Sequence, residues 1–487
     1  MGSIPNYDDS GVLDVLIVGA GISGINVAYR LTDECPDKKF LIVENRDTLG
    51  GTWDLFKYPG IRSDSDLHTF GYAFKAWEGA DIASGESIKA YLKQVSDENG
   101  ITEKTRYSTK VTSANFSTEE RCWNVELDHR GQKSEVRSRF LFLATGYYDY
   151  NQPLKAEIPG ISNFGGKVVH PQFWDLTEAD YTDKRVVVIG SGATAITLLP
   201  SMAEKTKDIT MLQRSPSYIV SLDKFDPIAK WIRRLLPASI AAKVIRQKNI
   251  ARIYASYHVF RTFPGIAKRI LGAMTKSQLP KSVPLDPHFK PSYNPWDQRL
   301  CICPDGDFYQ SLRSGKAHIV TGHIAEVKKD EIVLKDGQRL PADIIVTATG
   351  LKLAIGGNID MQVDGKRVDA SNRYVWKGAM LEGVPNMALS IGYTNASWTL
   401  GSDCTAMYLC RLLKHLDTHH QTLVVPEPKQ REQLKQGPLL NLNSTYVVKA
   451  SDDLPKAATS GPFRMRTNYW YDLLDAKYGS YSELKFR

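Results

Sequence analysis

Two glycine-rich loops constrain what this chain can fold into more than any other feature. Gly19-Ala20-Gly21-Ile22-Ser23-Gly24 follows an apolar run at 12–18, and Gly190-Ser191-Gly192-Ala193-Thr194-Ala195 follows another at 185–189. In such a loop the first glycine permits a tight turn and the second lets backbone approach a pyrophosphate. The third small residue lets the ensuing helix pack on the strand. That helix also aims about half a positive charge at the phosphates. One GxGxxG is weak evidence, but two, each set between an apolar strand and a helix, imply two dinucleotides on one chain. The expected fold class is α/β, with two Rossmann-like dinucleotide-binding domains and a helical insertion. A length of 487 residues accommodates that layout with room for a large core.

Further apolar runs at 40–43, 140–143 and 344–346 lack strict alternation, as expected of strands covered on both faces of a parallel sheet. They give a nested order. A first nucleotide domain spans 1–148, and a second spans 149–220. A basic helical insertion covers 221–317. The second domain resumes over 318–378, and 379–487 returns to the first domain and ends in a tail. From Pro426 onward the tail carries no readable element. Within the insertion, Pro227, Pro237, Pro264 and Pro280 punctuate short helices, and Ile240, Val244, Ala251 and Tyr254 fall on one helical face.

The residue ending the strand after each loop differs in sign. Glu44 stands twenty-five residues past Gly19, where a carboxylate accepts hydrogen bonds from both ribose hydroxyls and repels a 2′-phosphate; FAD or NAD fits. Arg214, with Ser215 beside it, stands twenty-four residues past Gly190, where a guanidinium binds a 2′-phosphate; NADP fits.

Two longer motifs identify a family. Gly51-Thr52-Trp53-x-x-x-x-Tyr58-Pro59-Gly60-x-x-x-Asp64 and Phe164-x-Gly166-x-x-x-His170-x-x-x-Trp174-Asp175 resemble the signatures of Baeyer–Villiger monooxygenases. The resemblance extends over nearly the whole chain and is closest to the bacterial ethionamide-activating type. It implies FAD in the first site, held by Gly19, Gly21, Ser23, Gly24, Glu44, Gly51, Thr52, Trp53, Asp54, Leu55, Arg62, Ser63, Asp64 and Val111. NADPH is implied in the second, held by Gly190, Ser191, Gly192, Ala193, Thr194, Ala195, Arg214 and Ser215. It further implies that the strands ending in Ala144-Thr145-Gly146 and Ala348-Thr349-Gly350 lead into crossings between the domains. Gly392-Tyr393-Thr394 through Trp398 would open a helix aimed at the flavin.

The implied reaction converts ketones to esters or lactones with O2 through a C4a-peroxyflavin, with sulfoxidation of thioethers or thioamides beside it. The family's catalytic arginine matches Arg299, and Asp64 is the carboxylate expected to orient it. A guanidinium stays charged at any working pH, as the partner of a peroxyanion must. Gln298 departs from the lysine many members carry there, which leaves more of the 2′-phosphate recognition to Arg214 and Ser215. The competing readings are a flavin-containing N- or S-monooxygenase and a catalytically silent dinucleotide-binding protein. In the resemblance, His170 and Trp174 serve the connection between domains rather than the chemistry.

The remaining features bound compartment and partners. Six scattered cysteines with no CxxC exclude a disulfide reductase and suit a reducing cytosol; Cys301-x-Cys303 is a poor dithiol. Met1-Gly2 begins like a myristoylation site, but Asn6 stands where Ser or Thr is required, and no secretory signal is evident. No metal-ligand spacing occurs, and no apolar run reaches the ~18 residues of a membrane span. Residues 221–290 hold fourteen Lys/Arg and three Asp out of a net charge of +8 for the chain. This excess reads as a solvated basic face, or as attraction to an anionic membrane or to the NADPH phosphates. Its cations alternate with Ile, Leu and Ala at helical spacing, so nucleic acid is not an expected partner.

Overall fold

The computed structural model describes residues 11–487; Met1, Gly2 and Asn6 lie outside it. Its first sheet is built on the strand Leu13–Val18, which is flanked in parallel by Phe40–Val43 and by the end of Gln132–Leu143. Thr105–Arg106 and Met387–Leu389 extend this parallel core on its two sides. The start of Gln132–Leu143 instead runs antiparallel to Cys122–His129, which pairs Thr109–Ser117. One long strand thus serves both halves of the sheet. Val15, Leu16 and Ile17 are fully buried, because the helices Ile22–Glu34 and Trp398–Thr418 pack on one face and a second apolar cluster on the other.

The second sheet is entirely parallel, in the order Ala317–Thr321, Asp208–Gln213, Arg185–Ile189, Ile344–Thr347, Lys167–Val169. The expected α/β class with two Rossmann-like domains is the fold found.

Two boundaries differ from the sequence reading. The chain returns to the first sheet before residue 379: Asp360–Val363 pairs in parallel with Thr109–Ser117, and Lys366–Arg367 folds back on it. Strands of four and two residues, none of them buried, carry no hydrophobic pattern to announce themselves. The insertion also ends before 317. Cys301, Cys303, Phe308 and Leu312, from the strand Cys301–Pro304 and the helix Asp307–Arg313, lie in the same buried cluster as Val186, Val188 and Ile196.

Three helices make up the insertion: Pro227–Leu235, Ala238–Thr262 and Pro264–Gln278. The middle one has 25 residues, longer than the prolines suggest. Pro227 and Pro264 sit in first turns and Pro237 at an N-cap, where the missing N–H has no intrahelical role, so they start helices rather than break them. The inward face of the middle helix is Ala241, Ile245 and Asn249, one position round from Ile240 and Val244, which are exposed. Polar anchors fix that rotation. Arg246 donates to the carbonyls of His68 (2.8 Å) and Gly71 (2.7 Å), and Asn249 donates to Asp66 (2.8 Å).

The two crossings between the domains lie side by side. Tyr148 bridges Leu353, the Asp149 amide donates to the Lys352 carbonyl at 2.7 Å, and the Ala354 amide donates to that of Tyr147. Each crossing follows a glycine at positive φ, Gly146 (+75°) and Gly350 (+108°).

Candidate active site

The first loop is shaped by close backbone approach. A methyl on Gly24 would stand 1.8 Å from the Gly19 carbonyl oxygen, so only glycine lets the helix Ile22–Glu34 seat on its strand. Gly21 is its N-cap, and no side chain caps the first turn, which leaves the leading N–H groups for an anion. Glu44 is buried; its carboxylate accepts from the amides of Ala20 (2.7 Å) and Arg46 (2.9 Å). Burial raises its pKa, and those two amides oppose the rise. A cradle of this kind fits a dinucleotide whose ribose hydroxyls reach a carboxylate.

The segment after Gly51 divides between tasks. Thr52 shares a hydrogen bond with the Tyr148 hydroxyl (2.8 Å), and Trp53 meets Phe70 edge-on at 5.6 Å. Asp54 is turned into a cationic cluster, bonded to Lys89 (2.6 Å) and Arg46 (2.7 Å). Burial works to raise its pKa, but these cations outweigh it and hold the carboxyl below its ordinary value. Leu55 is buried in the second domain's core rather than the first's. Arg62 is occupied by an ion pair with Asp307, and Ser63 donates to the Ser65 carbonyl at 2.7 Å. Val111 is buried in the first sheet opposite Leu127, and Ser23 accepts from the Trp398 indole at 3.3 Å.

At the second loop a methyl on Gly190 would stand 2.2 Å from the Ala348 carbonyl oxygen, whereas one on Gly192 meets nothing within 4 Å. Gly192 caps the helix Ala193–Ala203 with no side-chain bond, Ala193 is exposed, and Thr194 is half-buried. Ala195, the third small residue, is fully buried. The Ser191 hydroxyl donates to the Ser215 carbonyl (2.8 Å), closing the loop onto the next strand end. Arg214 and Ser215 are exposed there, and Arg214 has no carboxylate partner among the described residues; it donates to Thr445 at 3.3 Å.

Arg299 lies where the domains meet. Its guanidinium is 3.5 Å from Asp64 and donates to the Tyr393 carbonyl at 3.3 Å, while Cys301, two residues on, touches the Ser191 carbonyl of the second loop. Both Arg299 and Asp64 are 36% exposed. Burial opposes the charge on Arg299, and the neighbouring Asp64 carboxylate is the main group that raises its pKa. Burial likewise raises the phenols of Tyr147 and Tyr446, so they remain neutral donors. Tyr147 stacks on Trp398 at 4.9 Å. The insertion braces this loop: Arg261 bonds Asp297 (3.2 Å) and Tyr257 packs edge-on against Trp296.

Known proteins match this chain over most of its length. Residues 16–263 fit the pyridine nucleotide-disulphide oxidoreductase family. The FAD-containing monooxygenase EthA of Mycolicibacterium smegmatis is 43% identical over 472 residues, 96% of each chain. The chain belongs to the FAD-containing monooxygenases. The probable FAD-binding monooxygenase AlmA of Acinetobacter baylyi is also 43% identical, over 94% of this chain and 93% of that one. Among solved structures, OTEMO in complex with FAD and NADP superposes with a TM-score of 0.75 at 20% identity, covering 98% of this chain and 99% of that one. The polycyclic ketone monooxygenase of Thermothelomyces thermophila gives 0.76 at 18%, covering 99% and 90%. These two share the fold.

In this monooxygenase Cys301 and Cys303 are buried thiols pushed up to about 12, the opposite of a reactive dithiol. His170 is half-buried, accepts from the Gln172 amide at 3.2 Å, and has its pKa lowered by burial; Trp174 donates to the Leu176 carbonyl. Three side chains at the site were not singled out in the sequence: Tyr147, Tyr446 and Thr445. Tyr147 directly follows the Ala-Thr-Gly turn, which could have marked it. Tyr446 and Thr445 come from the helix Thr445–Ala450 in the tail, where no pattern marked an element.

Proposed function

We propose that the chain is a Baeyer–Villiger monooxygenase that binds FAD at the first loop and NADPH at the second. It would convert ketones to esters or lactones and sulfoxidise thioethers or thioamides as a second activity. The observation that carries this reading is the Arg299–Asp64 pair at the junction of the two nucleotide domains, where Asp64 favours the charged form of Arg299. FAD, reduced by NADPH, supplies the oxygen-activating chemistry. Overall, ketone, O2, NADPH and a proton become ester, water and NADP+.

The side chains divide the remaining work. Arg299 keeps a fixed positive charge beside the reacting oxygen, a placement effective where water is restricted. Asp64 orients that guanidinium from its second side, and the Tyr393 carbonyl limits its swing. Glu44 receives ribose hydroxyls, and Arg214 with Ser215 receives the 2′-phosphate. Tyr147 and Tyr446 line the approach to Arg299 as neutral phenols.

The test is product analysis. Flavin-loaded protein is given NADPH, air and a mid-chain aliphatic ketone, and ester is measured by gas chromatography against NADPH consumed. Ester formed in near proportion to NADPH is the expected result. Unchanged ketone together with sulfoxide from a thioether would assign the protein to heteroatom oxygenation instead.

A further inference from the structure

The short helix Pro227–Leu235 turns its apolar face away from the protein. Ile228, Trp231 and Leu235, spaced at i, i+3 and i+7, are 58%, 63% and 71% exposed, while the small Ala229 is the residue buried against the fold. Isolated exposed apolar side chains are ordinary. Three large ones on one face of a nine-residue helix, preceded by the exposed Phe225, are a surface with a purpose. The third insertion helix repeats the arrangement with Phe263, Ile266, Ile270 and Met274, again at spacings of three and four and again exposed.

Charge selects the partner. Between Pro227 and Leu285 there are twelve Lys/Arg and no Asp or Glu. Lys230 and Arg234 lie beside the apolar face of the first helix, and neither has an ion-pair partner among the described residues; nor do Lys268 and Arg269 on the third. Pairing this surface with a second copy of itself would bring like charges together, and interface cores are depleted of lysine. An anionic lipid surface accepts both components: the apolar side chains enter the acyl boundary and the flanking cations reach the headgroup phosphates.

We infer that the insertion docks this monooxygenase onto anionic lipid bilayers, with Pro227–Leu235 lying in the plane of the interface. This is peripheral contact, because no described helix is long and apolar enough to cross a membrane. The inference does not depend on which substrate is oxidised.

The experiment is co-sedimentation of the flavin-loaded protein with vesicles of phosphatidylcholine alone and of phosphatidylcholine with phosphatidylserine, at low and high salt. Three proteins are compared: wild type, Trp231→Ser/Leu235→Ser and Lys230→Glu/Arg234→Glu. Retained flavin absorbance and an unchanged melting midpoint show that each variant is folded. Expected are binding to the serine-containing vesicles, partial release by salt, and a blue shift of tryptophan emission that the serine variant loses. Each double variant should weaken partitioning at least ~10-fold, on the scale of withdrawing two large apolar groups or reversing two charges at a lipid surface. Failure of wild type to bind serine-containing vesicles at low salt would overturn the inference. So would binding that neither variant weakens. A wild-type dimer in the absence of lipid that the serine variant converts to monomer, with no vesicle binding, would assign the face to a second copy and equally overturn it.

Discussion

At the first nucleotide loop a methyl on Gly21 would meet Gly51 at 3.6 Å, and Glu44, the proposed ribose acceptor, is buried; at the second, nothing lies within 4 Å of the same point on Gly192, and Arg214 and Ser215 are exposed. Both loops follow one design, yet the first is closed over by the Gly50–Gly51 turn while the second opens to solvent. Under the proposed assignment, a nucleotide at the first loop would be the more enclosed, and one at the second would leave without unpacking the protein. That asymmetry suits one resident and one exchanging cofactor, which is what a reaction consuming NADPH on a bound flavin requires.

The comparison breaks most sharply at the third loop position. Gly24→Ala forces a methyl into the Gly19 carbonyl oxygen. The relief of that clash, about 3 kcal/mol, should lower flavin affinity ~10²-fold, read as flavin released on gel filtration. The matching exchange in the second site, Ala195→Gly, removes a methyl rather than adding one. It should retain flavin and lose only about 1 kcal/mol of stability.

Arg214→Ala sharpens the comparison from the other side. Losing a charged hydrogen bond worth about 1.5–3 kcal/mol should raise the KM for NADPH roughly 10- to 100-fold. The KM for NADH and the flavin content should stay near wild type. An equal rise for both nicotinamide cofactors would place the 2′-phosphate elsewhere.

The smallest effect concerns the second sheet alone. Asp343 accepts from the Arg185 side chain and amide (2.6 and 2.8 Å), and the Arg185 hydrogen bond is the main cause of its pKa falling to about 2. The folded value is below the unfolded one of about 3.9, so the stabilisation is present above pH 4 and lost as pH falls through 2. Both side chains are about a third exposed, which limits the contribution to about 1 kcal/mol or less. Melting midpoints of wild type and Asp343→Asn should therefore differ slightly at pH 6 and converge as pH falls through 2.

Sequence legibility followed the range of the interactions. Gly19, Gly24, Glu44, Gly190 and Arg214 were readable because the loop, its strand and its helix are contiguous, and their spacing reports local geometry. Arg299 and Asp64, 235 residues apart, were readable only through motif resemblance, and the fold brings them to 3.5 Å. Arg62 pairs with Asp307, a partner 245 residues away that no local pattern reveals. The strands Asp360–Val363 and Lys366–Arg367 were hidden by being short and polar. On the middle insertion helix both faces carry apolar residues, so periodicity alone did not show that Ala241 and Ile245, not Ile240 and Val244, face inward.

The most direct measurement is the rate of ester formation by Arg299→Ala loaded with flavin. A protein that keeps its flavin and still binds NADPH, but forms ester at least ~10²-fold more slowly, is the predicted result, on the scale of removing one oxyanion donor. Ester formation near the wild-type rate by that variant would contradict the assignment of Arg299.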